Sequence, residues 1–99
     1  MNNIKDKQRK IISHYGIDAQ LDILIEECSE LIKVICKNKR YAFTDTCVDQ
    51  YENLIEELAD VKNIIEQLEL ENDYVRQGIE AMINHKVDRE LDRISSKEE

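Results

Sequence analysis

An all-α fold, a four-helix bundle whose core is completed by oligomerisation, is what this sequence predicts, and three observations predict it. The chain of 99 residues has no proline and only two glycines, so little in it breaks a helix. Its apolar residues are mostly Ile, Leu and Val, and they recur at helical spacing. Charged residues make up 36% of it, enough to clothe the outer faces of amphipathic helices. The length fits a single domain spanning residues 1–99. A lone chain of this size buries only a modest core. Two of its helices are apolar on two sides, so a homodimer or a dimer of dimers is expected.

The first helix is expected over residues 2–14, with Ile4, Ile11 and Ile12 as its apolar side. Gly16 in "HYGID" is a fitting stop, and Asp18 is placed to cap the second helix, Asp18 to Asn38. The polar stretch "NKRYAFTDT" reads as a loop. Thr46 with Asp49 forms a weak capping box for the third helix, Cys47 to Leu70. "ENDY" is the next break, with Asn72 or Asp73 as cap. The fourth helix runs from Asp73 to Ser95, with Gly78 as its soft spot and residues 95–99 as a fraying tail. No internal repeat and no low-complexity segment interrupts this order.

The formal net charge of −8 opposes nucleic-acid backbones and anionic membranes as bulk partners. Cys28, Cys36 and Cys47 form no CxxC pair, and two of them lie on the apolar side of the second helix. A zinc site or a disulfide framework is not expected from them. "MNNIKDKQRK" lacks the apolar heart of a signal peptide, and no run reaches the roughly 18 apolar residues of a membrane span. A cytoplasmic protein is the expectation.

The second helix poses the main question. Advancing about 100° per residue, Leu21, Leu24, Ile25, Cys28, Leu31, Ile32 and Ile35 form one broad stripe, while Ile23 and Val34 lie well away from it. Glu27 and Glu30 project side by side between those two. The third helix repeats the design. Leu54, Leu58, Val61, Ile65 and Leu68 make its stripe, and Glu57 and Asp60 lie off it, beside Ile64. If the two helices pack antiparallel, the acid pairs face each other across the seam. Unpaired burial of four acids is very costly, so a cation among them is expected. Mg²⁺ suits oxygen donors completed by water and phosphates. A lone ExxE is most simply a solvated face, with Glu30 bridged to Lys33. Two such pairs on apolar-flanked faces of adjacent helices fit that account less well. A di-iron bundle fails for want of ligands, because neither His14 nor His85 follows a Glu by three.

"EECSE" at 26–30 and "ELAD" at 57–60 resemble the EExxE…ExxD signature of the MazG-like, all-α nucleoside triphosphate pyrophosphohydrolases. The surroundings look like small MazG-like proteins of Gram-positive bacteria and their phages, so a bacterial or phage-encoded origin is expected. The likeness is good over residues 14–70 and loose in the last helix. It implies hydrolysis of nucleoside triphosphates to monophosphate and pyrophosphate. It implies Glu27, Glu30, Glu57 and Asp60 as ligands of Mg²⁺, with Mn²⁺ as a substitute, and Glu26 behind them, helping to position the water.

Substrate contacts are expected from several further residues. Gln20 and Asn63 continue the polar strips of their helices, and Gln20 suits a base edge. Lys37 lies on the face of Glu30, and Lys86, Arg89 and Arg93 share one side of the fourth helix, from which Lys86 and Arg93 are expected to reach the triphosphate across the cleft, while Arg89 reads more simply as paired with Glu90 or Asp92. Tyr41 and Phe43 are candidates to stack on a base. Tyr51 reads as core, and His14 as a helix-end residue. Two rival functions remain beside catalysis: a helical interaction module, which has no need of four converging acids, and a nucleotide-binding sensor.

Overall fold

The computed structural model describes residues 3–40 and 48–98. Four helices make it up: α1, Ile4–Tyr15; α2, Ile17–Arg40; α3, Val48–Glu71; and α4, Asp73–Glu98. No strand occurs among the described residues, so the all-α class stands.

Local chemistry sets the ends. Asn3 caps α1 by accepting the Asp6 N–H at 2.8 Å, which starts the helix at Ile4 rather than at residue 2. Gly16 alone joins α1 to α2. Its N–H reaches the Ile12 carbonyl at 2.8 Å, and its own carbonyl accepts the Gln20 N–H at 3.2 Å. The joint uses φ 89° and ψ 161°, a region nearly closed to residues with a Cβ. Asp18 therefore lies inside the first turn of α2, favourable to the helix dipole, and is not its cap. Nothing lies within 4 Å of a Cβ built on Gly16, so Gly16→Ala acts through backbone strain alone. It is expected to cost about 1–3 kcal/mol in chemical denaturation.

The second helix continues to Arg40, through residues expected in the loop. Thr46 and the Asp49 side chain, the expected capping box, lie outside the described residues, as do Tyr41 and Phe43. Asn72 is the cap of α4, its Oδ1 accepting the Val75 N–H at 3.1 Å. α4 runs to Glu98, three residues beyond the expected end at Ser95, since no glycine or proline stops it.

The central pair is α2 with α3, and it is antiparallel. Gln20 near the start of α2 meets Gln67 near the end of α3, while Asn38 at the far end of α2 donates to the Gln50 carbonyl. α1 lies along the later half of α3, where Gln8 donates to Asn63 and to Glu66. α4 packs on α3 and on no other helix. From Glu80 to Lys97 every side chain of α4 is exposed.

The buried faces are turned relative to the apolar stripes. On α2 the buried residues are Gln20 and Asn38, flanked by half-buried Leu24, Glu27, Leu31 and Val34. That face is centred roughly a fifth of a turn from the stripe, and Leu21, Ile25 and Ile32 are left exposed. On α3, Ile64 is buried on the carboxylate side while Leu58 is exposed. Amides explain the turn. Gln20, Asn38 and Gln67 are buried and make hydrogen bonds across the seam in this orientation. Tyr51, expected in the core, is likewise exposed on this turned helix.

No helix among the described residues is long and apolar enough to cross a membrane.

Candidate functional site

The rotation of α2 and α3 turns their acids toward one another. Glu27 of α2 meets Glu57 and Asp60 of α3, and one carboxylate oxygen from each lies within 4.8 Å of the other two. The sequence supplies this by simple spacing. Glu57 and Asp60 are one turn apart on one face of α3, and the antiparallel seam sets Glu27 opposite.

Both glutamates respond to the crowding. The Glu27 carboxyl is raised above its usual 4.5, first by partial loss of solvent, then by a hydrogen bond with Asp60, then by the charges of Asp60, Glu57 and Glu26. Glu57 is raised by the same desolvation and by the charges of Asp60, Glu30 and Glu56. Its Oε2 is buried and has no hydrogen-bond partner among the described residues. A buried carboxylate oxygen with nothing to accept is costly. An all-oxygen, anionic donor set with such an orphaned atom fits a hard divalent cation.

A pH dependence follows. The folded state holds protons on Glu27 and Glu57 more tightly than the unfolded chain does. Stability therefore falls as pH rises from the usual 4.5 through the raised values, and levels off above them. The metal-free protein is expected to melt higher near about pH 5 than near about pH 8, and added Mg²⁺ to narrow the gap by stabilising the high-pH form. Circular-dichroism melts at the two pH values check this, and Glu57→Gln should flatten the profile.

The other expected site residues are placed as follows. Glu30 stands near enough for its charge to act on Glu57, yet its carboxylate turns to Lys33 at 3.4 Å and lies outside the close group. Glu26 is exposed, its charge acting on Glu27 from the neighbouring position. Lys37 is exposed in the last turn of α2. Gln20 donates its Nε2 to Gln67 at 2.7 Å, and Asn63 accepts from Gln8 at 2.9 Å and from Gln67 at 3.2 Å, so both amides are engaged inside the chain. Lys86 and Arg93 are exposed on the later half of α4. α4 packs on α3 alone and its later half stands in solvent, so within one chain they do not form the cleft's far wall. Arg93 instead pairs with Glu90 at 3.1 Å. His14 sits edge-on to exposed Tyr15, ring centroids 4.7 Å apart, in the last turn of α1.

Sequence reasoning missed the roles of Gln8, Gln67 and Asn38. Gln67 is seven residues after Asp60, so it lies on the same row of α3, and that alignment was the available signal.

No family model matches the chain, and neither do the curated proteins or the solved structures.

Proposed function

We propose that this chain is a Mg²⁺-dependent nucleoside triphosphate pyrophosphohydrolase of the MazG-like kind. The observation that carries the reading is the group formed by Glu27, Glu57 and Asp60, with the buried Oε2 of Glu57 left without a partner. Glu27, Glu57 and Asp60 would hold the cation, with Glu30 joining them once it leaves Lys33. A divalent ion there neutralises charge on phosphoryl oxygens and makes a water more acidic. The water adds at the α-phosphorus and the bond to the bridging oxygen breaks. Monophosphate and pyrophosphate leave, and the water's protons pass to solvent through a carboxylate of the group.

The chain's own part is positional and electrostatic. α2 and α3 hold three acids at fixed spacing, so the triphosphate meets them without reorganisation. Lys37, on the row of Glu30, would contact a phosphate from the same helix.

The test is a panel of nucleoside triphosphates incubated with Mg²⁺ and read by product. Monophosphate plus pyrophosphate supports the reading. Diphosphate plus phosphate contradicts it. Silence across the panel with tight nucleotide binding favours a sensor, and silence without binding favours an interaction module.

A further inference from the structure

We infer that the gap between α1 and α4, over the last turns of α3, binds a small zwitterion: a free amino acid with an apolar side chain. The inference does not rest on the proposed catalysis. The cleft shares no residue with the group of Glu27, Glu57 and Asp60.

The gap follows from how the helices meet. Among the described residues, α1 and α4 each pack on α3 and make no contact with each other. Asn72 alone separates α3 from α4, so α4 begins where α3 ends. A cleft of about 340 Å³ is left there, walled by all three helices. Sites for small ligands run from roughly 300 to 1,000 Å³, and an amino acid suits the small end of that range.

Its polar groups match a ligand of two charges. Gln8 lines the cleft and is 6% exposed. Its Nε2 is engaged by Asn63 at 2.9 Å and Glu66 at 3.1 Å, while its Oε1 accepts no hydrogen bond from the described residues. Polar atoms on so buried a residue are ordinarily satisfied, so this oxygen marks where a donor is wanted. Glu66 and Glu69, one turn apart on α3, bring two carboxylates to the same cleft. An ammonium group has three donors and a positive charge, and it serves the oxygen and the carboxylates together. Two cations stand ready for the other charge. Lys5 is exposed and has no partner among the described residues. Arg76 is tied only to exposed acids of its own helix, Asp73 at 3.4 Å and Glu80 at 3.7 Å, and such pairs hold weakly. A carboxylate meets both cations. Ile4, 66% exposed, and half-buried Leu70 cover an apolar side chain. A ligand with one charge leaves the opposite set unmatched, so the zwitterion is selected. Bound there, it ties α1 to α4.

Calorimetric titration of the full chain with leucine, isoleucine, valine and methionine tests it. Isopentylamine and isocaproate, which carry leucine's side chain with one charge each, are the comparisons. At least one amino acid is expected to bind ~10-fold or more tighter than either analogue. It is expected to raise the melting temperature and to slow amide exchange in the first turns of α1 and α4 together. Lys5→Ala and Glu69→Gln are each expected to weaken binding at least ~3-fold with helicity unchanged. Lys10→Ala, on another side of α1, should leave binding as it was. No binding of any of the four amino acids at millimolar concentration overturns the inference. Equal binding of leucine and its two analogues does so too, since the cleft is then an unselective apolar groove. Binding that Lys5→Ala and Glu69→Gln both leave intact also overturns it, because the ligand then sits elsewhere.

Discussion

Glu57→Gln is expected to abolish pyrophosphate release, by ~100-fold or more, and to raise the melting temperature of the metal-free protein. The two effects have one cause. Glu57 has an oxygen buried without a partner, and it lies against Asp60 and near Glu30. In the free protein that is a cost, and the amide lessens it by removing the charge and bringing a donor for the neighbouring carboxylates. In the working protein the same oxygen is what a cation takes, so the amide loses affinity for Mg²⁺. Calorimetric titration with Mg²⁺ and Mn²⁺ separates this from unfolding, because the variant should be folded and should bind metal weakly. Activity retained alongside wild-type metal affinity would remove Glu57 from the site. Glu30→Gln is the companion variant. It is expected to lose at least ~10-fold in turnover, since Glu30 lies within electrostatic reach of Glu57 yet is held by Lys33 on the rim.

The helices were readable because their signals are local. Asn72, Gly16 and the apolar spacing act within a few residues, and the four elements fall within three residues of where those signals put them. The acid cluster was readable in part for the same reason: ExxE and ExxD fix which side chains share a face. How far each helix turns about its axis was not readable from hydropathy. Apolar spacing alone points Leu21, Ile25 and Leu58 inward, but the seam is set by Gln20, Asn38 and Gln67, whose hydrogen bonds are specific where apolar contact is not. The turn leaves those apolar side chains outside, and it also brings Glu27 against Asp60. The direction of α4 was unreadable too. Its apolar residues wind round the helix instead of keeping to one stripe, so the pattern names no single face to pack.

Gln67→Leu tests whether those amides hold the seam. Gln67 is 1% exposed; it accepts from Gln20 at 2.7 Å and donates to Asn63 at 3.2 Å. Leucine keeps most of the volume, so the loss isolates the hydrogen bonds from cavity formation. Gln20 is buried as well, and its Nε2 would be left without that acceptor. An orphaned buried polar group costs about 1–3 kcal/mol, and in a chain with so little buried apolar surface the upper end is expected in denaturant unfolding. The pairing Gln20→Leu with Gln67→Leu should recover most of that loss, because two apolar groups replace two matched polar ones. Metal affinity should not recover with it. Gln20 and Gln67 each stand seven residues from an acid of the cluster, about 10 Å along its helix. An apolar seam there no longer fixes the rotation that sets Glu27 against Glu57 and Asp60. A double variant restored in stability and weak in Mg²⁺ binding assigns the amides the role of positioning the acids. Full recovery of both quantities would reduce them to ordinary packing.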